Sequence, residues 1–126
     1  LALGGRDMGT LTIGCFPGLV GNMAYDFALK LAEAAVNKGH KVNIWFSGNA
    51  TGSVKAHQKH LKDYSTGEKY LKALIEKGVE ICTCEACTVA RGIQKPEGIE
   101  GVQWNAMHWY LAKIYGSDRV LQIGGE

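Results

Sequence analysis

Short runs that alternate apolar with polar or small residues recur along the chain, separated by runs of helical period. Thr10 to Phe16 puts Leu11, Ile13 and Cys15 on one side of an extended chain and Thr12 and Gly14 on the other, which predicts a strand. Pro17, Gly18 and Gly21 break that pattern, and Asn22 offers a helix cap. Met23, Phe27, Leu31 and Ala34 then recur at three- and four-residue spacing as far as Lys38 and Gly39, predicting a helix with that stripe buried. Val42, Ile44 and Phe46 alternate again as a second strand, ended by Ser47, Gly48 and Asn49. In open α/β sheets, ligands bind at such a carboxyl edge.

The stretch from Ser47 to Gly67 is long and polar, with a short helix expected inside it over Val54 to Leu61. Glu68 to Lys77 reads as a helix with Leu71, Leu74 and Ile75 on one face and the four-apart charge pair Glu68 and Lys72 on the other. Val79 to Thr83 forms a third strand that turns at once into a short helix, Cys84 to Ala90, stopped by Gly92. An edge strand is expected near Val102. After it comes a helix carrying Trp104, Met107, Leu111 and Ile114, and Arg119 to Ile123 is the last strand. Strands and helices alternating in this way predict an α/β fold, a mostly parallel sheet of about five strands with helices on both faces. The domain expected spans residues 10–124. Residues 1–9 carry no regular pattern and are set apart as a flexible arm or a remnant of expression.

Composition narrows the class of function. A chain of 126 residues with 46% hydrophobic and 21% charged residues matches one ordinary globular core. The net charge is only +2, and the basic residues are interspersed with Asp and Glu, so no polybasic stripe supports direct nucleic-acid binding. No apolar run approaches the roughly 18 residues of a membrane span, and the first residues lack an export pattern. A cytoplasmic protein without membrane contact is the expectation.

The four cysteines carry the candidate chemistry. Cys82, Cys84 and Cys87 fall close together while Cys15 stands far upstream, a poor framework for disulfide stapling. A cysteine nucleophile acts as its thiolate, and the amide-rich start of a helix stabilises that anion. Cys84 occupies such a start. Cys87, three residues on, lies on the same helix face and could resolve a persulfide as a disulfide, with Arg91 supplying positive charge nearby. Other readings stay open. Cys82 reads as a small core residue. A zinc site of Cys82, Cys84 and Cys87 with His57 or His60 lacks the second matched pair that structural zinc sites carry. A thioredoxin-type dithiol at Cys84 and Cys87 lacks the flanking aromatic and its early place in the domain.

His57 and His60, three apart, would share a face of the helix expected there, a spacing compatible with metal or with proton transfer to a thiol; a solvated basic face is the plainer reading. Gly14, Gly18 and Gly21 fit a tight strand-to-helix turn better than a phosphate loop, since neither the dinucleotide spacing nor a Walker Lys is present. Trp104, Trp109 and Tyr110 exceed one helix's buried stripe and serve either the core or a subunit contact.

The run Cys84-Glu-Ala-Cys87-Thr-Val-Ala-Arg91-Gly92-Ile93, the first turn Gly14-Cys-Phe-Pro-Gly18, the Asn37-Lys-Gly-His-Lys-Val42 transition and the close Ser117-Asp-Arg-Val-Leu-Gln-Ile-Gly124 together resemble the DsrE/DsrF-like family of small sulfur-relay proteins. The Cys-x-x-Cys form is most similar to its YchN-type branch. The resemblance spans Thr10 to Gly124. It implies a flavodoxin-like three-layer sandwich that assembles as a homotrimer or hexamer. It also implies a sulfurtransferase in which Cys84 accepts sulfane sulfur as a persulfide and passes it from a donor to an acceptor protein. No cofactor and no metal are expected.

Overall fold

The computed structural model describes residues 8–61 and 67–124. Residues 1–7 of the expected arm lie outside the described residues, and Gly9 is held in place, its N–H donating to His40 Nδ1 at 3.1 Å and its carbonyl accepting from Lys41 N–H at 2.9 Å.

Five parallel strands build one sheet: β1 (Thr10–Cys15), β2 (Lys41–Phe46), β3 (Glu80–Cys84), β4 (Gln103–Asn105) and β5 (Arg119–Ile123), in the order β4-β3-β2-β1-β5. The helices are α1 (Met23–Asn37), α2 (Gly67–Glu76), α3 (Glu85–Ala90) and α4 (Met107–Tyr115), with 3-10 segments at Gly48–Val54 and Lys95–Glu97. This is the α/β, flavodoxin-like layering expected. Parallel pairing needs a crossover between strands, so each helix must return the chain to the starting edge.

Register places Ile13 beside Ile44 and Ile44 beside Ile81, a row of β-branched side chains facing Ala28, Leu29 and Ala32 of α1 and Leu71 and Leu74 of α2. The opposite face is covered by α4, where Trp45 stacks on Trp109 and Tyr110 with ring centroids 6.1 and 5.7 Å away. Being central, β2 is buried on both faces from Val42 to Phe46, which is why it reads as almost continuously apolar. Gly14 permits this closeness: a Cβ there would overlap the Tyr110 hydroxyl. Its lack of a side chain serves helix packing and not a phosphate.

Three sequence expectations need correction. The buried stripe of α1 is Tyr25, Ala28, Leu29 and Ala32, whereas Met23, Phe27 and Ala34 face outward and Leu31 is half-buried. Two alanines let the helix approach the sheet, and Tyr25 stacks on Phe46 at 5.9 Å. Asn22 caps the helix as expected, accepting from the N–H groups of Ala24 and Tyr25. The helix expected over Val54 to Leu61 is instead the earlier 3-10 segment Gly48–Val54, followed by coil. Trp104 belongs to β4, and α4 buries Trp109 and Tyr110 while Met107 and Leu111 are exposed.

Strand order reverses at β1, flanked by β2 and β5, and ligands of such sheets usually enter at that reversal. Here the crevice is closed: Phe16 N–H donates to the Ile123 carbonyl, and Pro17 Cδ lies 2.8 Å from where a Cβ on Gly124 would sit. The accessible cysteines lie instead at the carboxyl end of β3, Cys84 closing that strand and Cys87 following in α3.

Candidate functional site at the Cys84–Cys87 corner

At the end of β3 the chain turns into α3 without a linker. Cys84 is the N-cap residue, in extended conformation at φ −66 and ψ 113. Two buried threonines fix this corner. Thr88 Oγ1 donates to the Cys84 carbonyl at 2.6 Å and lies 2.8 Å from Thr83 Oγ1. Because the Thr88 proton is committed to Cys84, Thr83 is the donor between them. Arg91 closes the helix, and Gly92, at φ 84, takes the left-handed turn that follows.

The four thiols fall into two classes. Cys15 and Cys82 are fully buried, and loss of hydration pushes both up to about 12, which makes them inert at neutral pH. Cys84 and Cys87 are half-buried, and each thiol shifts the ionisation of the other. Burial, together with the Cys87 thiol, raises Cys84 above the usual thiol range. Burial pulls Cys87 up as well. The Cys84 thiol, the Gly48 N–H, the Ser47 hydroxyl and the Arg91 charge outweigh that pull and hold Cys87 below the usual range. Within the pair the directions differ, raised at Cys84 and lowered at Cys87. The largest of the lowering influences on Cys87 is the Cys84 thiol at the same corner, and the Gly48 N–H and Ser47 hydroxyl add to it from across the edge.

Those donors sit on the segment after β2. Ser47 Oγ is 3.9 Å from Cys87 Sγ, and Gly48 turns its N–H toward that sulfur with φ 58. Arg91 spans the gap, its Nη1 donating to the Cys87 carbonyl at 3.1 Å and its Nη2 to Asn49 Oδ1 at 3.0 Å. Ser47, Gly48 and Asn49 lie on the edge that the strand pattern marked for ligands, yet their tie to Cys87 has no signal in the sequence.

The two histidines are placed differently from expectation. His57 and His60 are exposed on the coil after Val54, with His57 in the left-handed region at φ 66, and they share no helix face. The leading influences on Cys84 and Cys87 include neither. Among the described residues, no three His, Cys, Asp or Glu side chains gather where they could hold a metal ion. No helix among them is long and apolar enough to cross a membrane.

The fold and site define a parallel α/β domain with a pair of half-buried thiols at the carboxyl edge of its sheet. The DsrE/DsrF-like family profile matches residues 18–123. The chain belongs to that family, which is associated with sulfur relay. It is 32% identical over 94 residues to an uncharacterised protein of Methanocaldococcus jannaschii, covering 75% of this chain and 82% of that one. An uncharacterised protein of Methanopyrus kandleri is 30% identical over 96 residues, covering 75% and 77%. Among solved structures, YchN of E. coli superposes with a TM-score of 0.84 at 22% identity, over 91% of this chain and 99% of that one, a likeness of fold. A protein from Methanobacterium thermoautotrophicum superposes with a TM-score of 0.66 at 13% identity, over 89% and 97%.

Proposed function

We propose that the protein is a sulfurtransferase of the carrier kind, taking sulfane sulfur as a persulfide at the Cys84–Cys87 pair and passing it to a partner. The observation that carries this reading is the pair itself: two accessible thiols, one held toward its thiolate by the other. The same electrostatics favour Cys87 as the acceptor and Cys84 as its partner, with Arg91 in support. In the loading step, the Cys87 thiolate attacks the outer sulfur of a donor persulfide. A new S–S bond forms as the donor's S–S bond breaks, and the donor leaves as a thiolate. Delivery repeats the exchange with an acceptor thiolate, so no net oxidation occurs.

The mutual influence of the two thiols, three residues apart at one corner, favours a second reading, a dithiol redox role. Cys84 attacks the inner sulfur of the Cys87 persulfide, closing a disulfide and expelling hydrosulfide. The dithiol then loses two electrons and the sulfane sulfur gains them.

The donor and acceptor are proteins of a cytoplasmic relay, with neither membrane nor nucleic acid bound directly. The homotrimer or hexamer rests on the family likeness, and Met107, Leu111 and Tyr115, which repeat at four-residue spacing on the outer face of α4 and remain exposed, offer an apolar surface for a subunit contact.

Incubation with inorganic polysulfide and intact-mass measurement tests the reading. The parent protein is expected to gain about 32 Da per sulfur atom carried. Cys87→Ala should abolish the gain and Cys84→Ala should slow it. Full loading of Cys87→Ala would remove Cys87 as acceptor, and loading of the double variant would remove the site. In the parent, sulfide release matched by loss of both thiols selects the redox reading.

A further inference from the structure

The tripeptide Ser47-Gly48-Asn49 touches the Cys87–Arg91 turn at three points, and two of them are already accounted for by the sulfur of Cys87. Asn49 is the third, and it never reaches the sulfur. Its side-chain oxygen accepts from Arg91 Nη2 at 3.0 Å, while Arg91 Nη1 folds back onto the Cys87 carbonyl at 3.1 Å. The guanidinium is thus fastened at both ends of its fork, one on its own helix and one across the edge. An arginine not held this way samples many rotamers and spreads its charge over a wide volume of solvent. Held by Asn49, the charge stays beside Cys87.

We propose that Asn49 is a positioning residue for the sulfur chemistry: by pinning the Arg91 guanidinium across the β2–α3 gap, it keeps a fixed positive charge beside the sulfur that Cys87 carries. The proposal rests on the carrier reading for its purpose, since a persulfide's terminal sulfur is an anion that a fixed cation stabilises. Its geometry stands without that reading. Asn49 is exposed, so replacing it removes one hydrogen bond and no core contact. The leading charged and titratable influences on Cys87 are Cys84 at its helix's N-cap and Arg91 on its own turn; Glu85 shares its helix, and the 3-10 segment Gly48–Val54 contributes no titratable side chain.

The test is the pH midpoint of Cys87 alkylation, read by peptide mapping so that Cys84 is scored separately. It is run on the parent, Asn49→Ala, Arg91→Ala, Arg91→Lys and the double Ala variant. Arg91→Ala should raise the midpoint by about half a pH unit, the effect of removing one solvent-screened positive charge. Asn49→Ala should recover part of that rise, and adding it to Arg91→Ala should change nothing. Arg91→Lys keeps the charge but cannot bridge both acceptors, and it should behave like Asn49→Ala with the Asn49 segment intact. An unmoved midpoint in Asn49→Ala overturns the proposal. So does a rise that persists when Arg91 is already absent. Sulfur loading of the same samples separates the two ideas. A parent that takes no sulfur while the midpoints respond as stated removes the carrier role and leaves the positioning intact, and the converse removes Asn49 alone.

Discussion

The corner that presents Cys84 and Cys87 depends on one hydroxyl, and removing it should be costly in a way that distinguishes Thr88 from its neighbour. Thr88→Val preserves side-chain shape, so no cavity forms. It deletes the donor to the Cys84 carbonyl and leaves the Thr83 hydroxyl, fully buried, without its acceptor. Each neutral bond contributes about 0.5–1.5 kcal/mol, and a buried donor left unpaired costs about 1–3 kcal/mol. A destabilisation of roughly 1–3 kcal/mol follows for Thr88→Val. Thr83→Val removes only an incoming donor, because Thr88 still donates to Cys84, and should cost about 1 kcal/mol or less. The double variant leaves no stranded hydroxyl and should cost less than the sum. Urea unfolding at constant m-value reads all three. A Thr83→Val variant less stable than Thr88→Val, or strict additivity, would refute the assignment of donor and acceptor and with it the staple.

Further outcomes follow from the same geometry. Glu68 is nearly buried and ion-paired with Lys72 at 3.1 Å; burial would raise its carboxyl, but the N–H groups of Gln58 and His57 and the Lys72 ammonium hold it below the usual range. Its stabilising effect is therefore complete above the usual carboxylate range and lost as pH falls through the depressed folded value. Glu68→Gln should cost roughly 1–2 kcal/mol at neutral pH and little in strong acid, and a pH-independent difference would contradict this. Gly14→Ala should cost about 1–3 kcal/mol by pushing Tyr110 off Trp45, with an altered near-ultraviolet dichroism; a neutral variant would show that α4 can give way. Cys84→Ser keeps a donor to Cys87 and should leave the Cys87 alkylation midpoint low, whereas Cys84→Ala should raise it; equal midpoints would mean that a donor at position 84 contributes nothing.

Much of the architecture is legible in the sequence because strand alternation and helix punctuation are local. β1, β2 and β5 fall where short apolar runs between turn residues place them, and the β3–α3 junction at Cys84 is marked by an apolar run meeting a helix with no loop between. The misread elements share a cause. In α1 the larger side chains Met23 and Phe27 suggested the buried stripe, but distance to the sheet favours the small Ala28 and Ala32. Trp104 keeps helical spacing with Met107 yet sits in β4, because a three-residue edge strand is too short to show a period. At the site, the Cys84–Cys87 pair is visible in the sequence, but which thiol is acidic is not. That depends on Cys84 and on Ser47 and Gly48, the last two about 40 residues away and brought to Cys87 only because β2 and β3 are neighbours.

Competitive alkylation of the folded protein near pH 6, quenched early and mapped to each cysteine, tests most directly whether one thiol has been set apart for sulfur. The account predicts label on Cys87 first, on Cys84 later, and on Cys15 and Cys82 only after unfolding. Label appearing first on Cys84, or at equal rates on both, would contradict it.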